Sequence, residues 1–323
     1  MNQAKKVKKY SREWFDIHGP EHGHSNPIKA ANNNWPVRLS KSQFMTYVGC
    51  PRKYWWSNIA EIWGPSTHFM VHGTGVHRAL ENLYGLWKPD TEETFLDMMY
   101  RDWEDGTRHS PHDDWDNEQK SIYVNSVEAM VELEEERLRL WGKEHFAPEE
   151  FEIKHAVKHP EQDFVLVGKI DGVHRHPDGG LVITELKTGK ATKFKMTKTR
   201  KELCYYRYML SLLDWDEAVY FYYLFPEASN LDLYHELEGK KNTEVWLGNT
   251  QGMAVLEKVS KRSASAMHKS LDKTCEGIKA DAWDIKWNDY FCSEWCDFNM
   301  SCESQLLGLE GDPTTSYTAE EEW

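Results

Sequence analysis

With 323 residues, 15 tryptophans and 13% aromatic side chains, the chain can bury one large core or two modest ones, which excludes a disordered protein. A formal net charge of −14 argues at first against a nucleic-acid partner, yet the charge is unevenly placed, and local sign matters more to a phosphate ligand than the total. Six cysteines in so long a chain do not make a disulfide scaffold, and no apolar run reaches the roughly 18 residues of a membrane helix. The basic start Met1–Tyr10 has no apolar segment after it, so a soluble, cytoplasmic protein is expected, or one in a host cytoplasm if the gene is viral.

In chain order, residues 1–38 read as a polar, flexible arm broken by Gly19-Pro20, Asn26-Pro27 and Asn32–Asn34. A helix is predicted from about Ser40, with Ser40 or Ser42 as its cap, carrying Phe44, Tyr47 and Val48 on one side and leading to Cys50. Taken alone, Cys50 is an ordinary small core residue. A second helix follows Gly73-Thr74-Gly75, with Val76, Leu80, Leu83, Tyr84 and Trp87 as its buried stripe and His77 and Glu81 beside it. Residues 90–150 are helical and acidic, and the charges of Val124–Trp141 are assigned to solvated faces with no chemistry.

Strands are expected at 151–158, 163–175 and 181–187 as an antiparallel meander, then a helix over 197–213 and a strand over 217–225. Weaker strands are read at 231–237 and 244–247, a long helix at 253–280, and an acidic disordered tail at 303–323. Strand–strand–helix–strand is the order of a mixed α/β core. No internal repeat and no GxxxxGK[ST] phosphate loop is present, so no nucleotide motor is encoded in this sequence.

The chemistry gathers on two strands. In Leu181–Lys187 the side chains alternate, so Leu181, Ile183, Glu185 and Lys187 share a face. Charges at the end of an apolar face are costly to bury unpaired. Asp171 on the preceding strand completes a D…E-x-K pattern, with fourteen positions from Asp171 to Glu185. Two carboxylates are hard oxygen ligands for Mg2+ or Mn2+, and a lysine beside them can stabilise charge on a phosphoryl group. A basic run follows, with Lys187, Lys190, Lys193, Lys195, Lys198, Arg200, Lys201 and Arg207 against the single acid Glu202.

This order of features resembles the PD-(D/E)XK nucleases, and within them the RecB-like branch that includes CRISPR-associated iron–sulfur exonucleases. The segment Ser40–Tyr54 resembles its N-terminal signature, and Gly73, Gly75 and His77 its first motif. Gly168 with Asp171, and Glu185-Leu186-Lys187-Thr188-Gly189, resemble the second and third. Glu202 to Tyr206 stands where the family has Q-x-x-x-Y, with a glutamate in place of the glutamine. Cys292, Cys296 and Cys302 resemble its closing cysteine triplet, although C-x3-C replaces the more usual C-x2-C.

The resemblance implies a restriction-endonuclease-like mixed β-sheet core flanked by helices, occupying 39–302. It implies a helical insertion near 90–150 and a cysteine segment at 287–302. It also implies that His77, Asp171, Glu185 and the backbone of Leu186 hold Mg2+ or Mn2+, and that Asp171, Glu185 and Lys187 are catalytic. Glu202, Tyr206, Lys190, Lys193, Lys195 and Arg207 would contact DNA, and Trp55, Trp56 and Trp63 would stack on unpaired bases. Cys50, Cys292, Cys296 and Cys302 would hold a 4Fe–4S cluster; four thiolates also suit tetrahedral zinc. Cys204 and Cys275 are left over as ordinary buried cysteines.

The expected activity is metal-dependent hydrolysis of DNA, by an exonuclease acting on single-stranded or end-opened DNA with a structural cluster. A helicase or an adaptation or recombination partner in trans would supply any unwinding. The alternatives are a non-catalytic nucleic-acid-binding or assembly module of the same fold with structural zinc, and a metal-binding regulatory or redox protein.

Overall fold

Residues 23–62, 68–90, 93–104, 115–213, 215–260 and 262–307 are described by the computed structural model. The structure is mixed α/β, with a three-stranded and a five-stranded sheet. The chain divides into two compact units. One comprises Met1–Pro65, Ala156–Val167 and His268–Trp323; the other comprises Ser66–His155 and Gly168–Met267. Residues 1–22 of the expected arm, Trp63 and residues 308–323 of the expected tail lie outside the described residues, as do 91–92 and 105–114 of the expected insertion.

In the first unit, Asn26 caps α1 (Pro27–Asn32), so the second half of the expected arm is structured. Strand β1 (Val37–Ser40) belongs to a sheet with β2 (Ile153–Lys158) and β3 (Phe164–Ile170), in the order β1-β3-β2, with β1 parallel to β3 and Val37 opposite Phe164. Ser40 is the cap of α2 (Lys41–Gly49), in a capping box with Gln43 that contributes about 1 kcal/mol. Helix α3 (Pro51–Asn58) follows after one residue, Cys50. Its Trp55 and Trp56 are buried with Phe298 and Cys302 in a satellite core, so these two indoles pack and do not offer faces to bases.

The second unit holds α4 (His68–Leu86), α5 (Phe95–Glu104), α6 (Asn117–Trp141) and α7 (Lys143–Phe146), and a five-stranded sheet. The strands are β4 (Gly172–Arg175), β5 (Leu181–Leu186), β6 (Ala218–Phe225), β7 (Thr243–Leu247) and β8 (Met253–Lys258), in the order β4-β5-β6-β8-β7. β5 and β6 are parallel and are joined through α8 (Lys193–Ser211), capped by Thr192; the other pairs are antiparallel. Val182, Leu186, Tyr222, Leu224, Ala254 and Leu256 share a core with the α4 stripe residues Val76, Leu80 and Leu83. All six residues of β5 are buried, as expected for a strand with neighbours on both edges and helices on both faces.

Four sequence expectations give way here. The strand expected over 163–175 is two strands, β3 and β4, in different sheets, interrupted at Asp171. Residues 231–237 form a helix, α9 (Leu231–Leu237), because the Asn230 side chain accepts the Leu233 amide and caps it. The start of the expected long helix, Met253–Lys258, is β8: pairing with β6 and β7 on its two edges outweighs a sequence of good helix formers. Finally, α6 buries two of its charges, Glu134 and Arg137, both fully enclosed. The Arg137 guanidinium donates to both oxygens of Glu134 and to the Phe146 carbonyl, while Tyr84 and Tyr222 donate to the same carboxylate.

Back in the first unit, α10 (Arg262–Lys279) buries Leu271, Cys275 and Ile278, followed by α11 (Asp289–Trp295) and α12 (Asn299–Leu306). Among the described residues no helix is long and apolar enough to cross a membrane.

Candidate active site

The turn Pro177–Gly180 returns the chain from β4 to β5, and their register fixes what meets what. Gly172 lies opposite Thr184 and Arg175 opposite Leu181. One step further along the same register, Asp171 comes opposite Glu185. The Asp171 carboxylate accepts the Leu186 amide at 2.8 Å through Oδ2, which leaves Oδ1 facing elsewhere. Oδ1 lies 3.3 Å from Nδ1 of His77 on α4. Two glycines on this helix face close neighbours: a Cβ on Gly73 would sit 3.4 Å from Thr188 Oγ1, just past Lys187, and one on Gly75 would sit 2.7 Å from the Tyr123 ring of α6.

Glu185 is buried and accepts from the Lys187 ammonium at 2.5 Å. Lys187 also pairs with Glu202 of α8 at 2.8 Å. Burial pulls the His77 imidazolium down, but Asp171 and then Glu185 overcome it and hold the ring above its ordinary value. A third carboxylate joins them: Glu152 Oε1 is 3.6 Å from His77 Nδ1, and ligand atoms of His77, Glu152 and Asp171 all lie within 4.8 Å of one another. An imidazole with two carboxylates is a donor set that fits a hard divalent ion. Glu152 did not emerge from the sequence, where it reads as the second residue of a strand; nothing in its neighbours' spacing marks it.

The other expected site residues have varied placements. Leu186 is fully buried and contributes its amide to Asp171. Tyr206 is buried, and its hydroxyl donates to the Lys169 carbonyl at 2.5 Å. Arg207 is buried, and its guanidinium reaches the Ser260 carbonyl and the Glu217 carboxylate. Tyr206, Arg207 and Glu202 are thus buried and engaged with other groups of the protein. Lys190 is exposed, Lys193 is exposed beside Glu236, and the half-buried Lys195 donates to the Thr188 carbonyl at 2.8 Å.

All four expected cluster cysteines belong to the first unit. Cys50 separates α2 from α3, Cys292 lies in α11, Cys296 ends it, and Cys302 lies in α12. Burial pushes the Cys302 thiol up; the Trp56 indole counters this, and the Cys296 and Cys50 thiolates add to it. Among the described residues no three of these sulfurs lie within 4.8 Å of one another, the spacing a single ion would need. Cys204 and Cys275 are buried, and burial pushes the Cys275 thiol up to about 12.

A second convergent group in the first unit, His159, His268 and Asp272, has a different character. His159 Nδ1 accepts the amides of Glu161 and Gln162, so its proton sits on Nε2, 3.4 Å from Asp272. A ring with that tautomer has a proton, not a lone pair, at Nε2 and does not ligate an ion through that atom.

Residues 38–303 match the family model of the PD-(D/E)XK nuclease superfamily. Among solved structures the chain is similar to one titled "Crystal structure of SSO0001", at 11% identity over 83% of this chain and 86% of that one, with a TM-score of 0.37. A likeness that weak carries no argument. No curated protein matches.

Proposed function

Because the chain belongs to the PD-(D/E)XK nuclease superfamily, whose members use divalent metals, we propose that it is a Mg2+- or Mn2+-dependent deoxyribonuclease. The observation that carries this reading is the approach of His77 Nδ1 to Asp171 Oδ1 at 3.3 Å, beside the Glu185–Lys187 pair. His77, Asp171 and Glu185 would hold the ion, with the Leu186 carbonyl as a further ligand. A divalent ion bound there supplies positive charge to a phosphoryl oxygen and acidifies a water. The Leu186 amide fixes the rotation of Asp171, so one oxygen stays aimed at His77. Lys187 stabilises the charge that develops on the phosphoryl group, and Glu202 and Glu185 hold its ammonium in place. Lys190, in the loop before α8, and Lys193, its first residue, are exposed and positioned in sequence to meet the phosphate backbone.

The reading extends to an exonuclease of the RecB-like branch that acts on single strands or opened ends, dependent on a partner for unwinding. Its iron–sulfur cluster would sit on Cys50, Cys292, Cys296 and Cys302 in a structural role, with zinc as the alternative. The sequence pattern of three cysteines in a short C-terminal segment with Cys50 as a fourth supports this.

End-labelled single- and double-stranded DNA incubated with Mg2+ or Mn2+ tests the activity. Asp171→Asn and Lys187→Ala are expected to abolish degradation while circular dichroism is unchanged. A wild-type protein that leaves both substrates intact with either metal sinks the reading. A visible spectrum with iron, sulfide and zinc analysis on anaerobically purified protein tests the cluster, and zinc without iron refutes it.

A further inference from the structure

Glu152 belongs to none of the motifs that carry the resemblance, yet the fold delivers it to the centre of the site. Just ahead of β2, the chain is stitched to β4. The Glu149 amide donates to the Val173 carbonyl at 2.7 Å, and the Val173 amide donates to the Glu150 carbonyl at 2.8 Å. This is an antiparallel bridge with Glu150 opposite Val173. Two residues beyond the bridge on each side, the carboxylates of Glu152 and Asp171 converge on His77, with ligand atoms within 4.8 Å of one another. Phe151 anchors the segment from the other side, its ring 5.8 Å from that of Tyr84.

The backbone at Glu152 is unusual. Its φ is +53°, in the left-handed region that few residues other than glycine, asparagine and aspartate adopt. Such a conformation is strained and persists where the surroundings demand it. Here it turns a carboxylate that is only 6% exposed toward His77 Nδ1, at 3.6 Å. The second Glu152 oxygen is ion-paired with Lys169, whose own side chain is 59% exposed. Lys169 is therefore a counter-ion with room to leave, unlike the buried carboxylate it neutralises.

Asp171, Glu185 and Glu152 thus bring three carboxylates to one imidazole and two lysines. Carboxylates crowded in a site of low exposure repel one another, and the repulsion is relieved by a cation between them. Of the three, Glu152 and Asp171 are the two whose oxygens already lie with His77 within 4.8 Å.

We propose that Glu152 is a direct metal ligand of this site, and that Lys169 is the cation that takes the metal's place on Glu152 and must release it for the ion to bind. The inference rests on the nuclease reading for the purpose of the ion, but its test is binding.

Mn2+ titrated by calorimetry into wild type, Glu152→Gln, Glu152→Asp, Asp171→Asn and Lys169→Met gives the readout. Glu152→Gln is expected to weaken Mn2+ by at least about tenfold. Glu152→Asp, with a shorter reach and its charge kept, falls between; it stands in if the glutamine variant does not fold. Lys169→Met is expected to tighten Mn2+ severalfold, which a merely structural ion pair would not do. Wild-type affinity in Glu152→Gln, with binding lost in Asp171→Asn, overturns this inference and leaves the nuclease reading standing. Weaker Mn2+ binding in Lys169→Met overturns the counter-ion half. Absence of both Mn2+ binding and DNA degradation in wild type overturns this inference and the nuclease reading together.

Discussion

Lys187 and Glu202 are ion-paired at 2.8 Å, and Glu202 stands where the RecB-like pattern that the sequence resembles has a glutamine. The resemblance expects a glutamine at 202. An amide oxygen would also accept from Lys187, but without charge. Here Lys187 faces two carboxylates, Glu185 and Glu202, with its side chain about a quarter exposed. Glu202→Gln is expected to keep DNA degradation within about tenfold of wild type, because the hydrogen bond survives. Glu202→Leu removes the Glu202 carboxylate from Lys187 and is expected to lower kcat by more than tenfold with KM for DNA nearly unchanged. A rise in KM without a fall in kcat would return Glu202 to the role of DNA contact and remove it from the positioning of Lys187.

The legible part of this site was the part written locally. Asp171, Glu185 and Lys187 lie on one hairpin, so strand alternation and turn residues suffice to bring them together. His77 lies on a helix whose apolar stripe was readable, but only the resemblance singled it out from the stripe's edge. Glu152 was invisible, because its approach depends on the bridge between Glu150 and Val173 and on a left-handed backbone that no pattern announces. The same distinction explains the fold. Buried β-branched and aromatic runs gave β5 and β6, whereas β8 is made of Met, Ala, Val, Leu, Glu and Lys, and its identity comes from partners some thirty residues earlier. Arg207 looked like part of a basic surface because sequence proximity to lysines does not reveal which side of α8 turns inward.

Gly168 holds α8 against the strand that leads to Asp171. A Cβ there would lie 2.6 Å from Tyr206 Cε1 and 2.8 Å from Met209 Cε. The Tyr206 ring cannot swing aside freely, since its hydroxyl is bound to the Lys169 carbonyl. Gly168→Ala is expected to destabilise the protein by about 1–3 kcal/mol. Tyr206→Phe, which frees the ring, should cost about 1 kcal/mol alone and reduce the penalty of the alanine in the double variant. Urea denaturation of the four proteins checks this, and strict additivity would show that the tyrosine is not the obstacle.

His174 gives the second unit an acid sensitivity. Burial, and then the Arg137 guanidinium, push its imidazolium well below the ordinary 6.5. Its Nδ1 lies 3.4 Å from Arg137 and 3.3 Å from the Phe146 carbonyl, so a proton there adds a cation beside a buried cation. The unfolded chain takes up that proton first as pH falls. The stability contributed by the neutral ring is therefore full above pH 6.5 and is lost below it, by up to about 1.4 kcal/mol per pH unit. Thermal melts between pH 7.5 and 5 are expected to show a steeper fall for wild type than for His174→Asn, which keeps a polar group at the Nδ1 position and does not titrate. Equal slopes would mean that another group dominates acid unfolding.

Arg137 and Glu134 test whether charge placed inside α6 is a liability or a fixture. Both side chains are fully buried, and their satisfaction is nearly complete: two tyrosine hydroxyls and the guanidinium reach the carboxylate, and the Phe146 carbonyl takes another guanidinium donor. The guanidinium also lies 4.3 Å from the Phe146 ring centroid and 4.8 Å from that of Trp141. Taking the charges out of water makes the pair a weak source of net stability, but removing one partner strands the other. Arg137→Met is expected to cost about 3–5 kcal/mol, since Glu134 would keep only neutral donors. The double variant Glu134→Gln with Arg137→Met should recover a large part of that loss, because no charge remains to be left alone. Guanidinium chloride unfolding of the single and double variants decides the matter. A single-variant cost below about 1 kcal/mol would mean that water reaches the pair and that burial does not set its energetics.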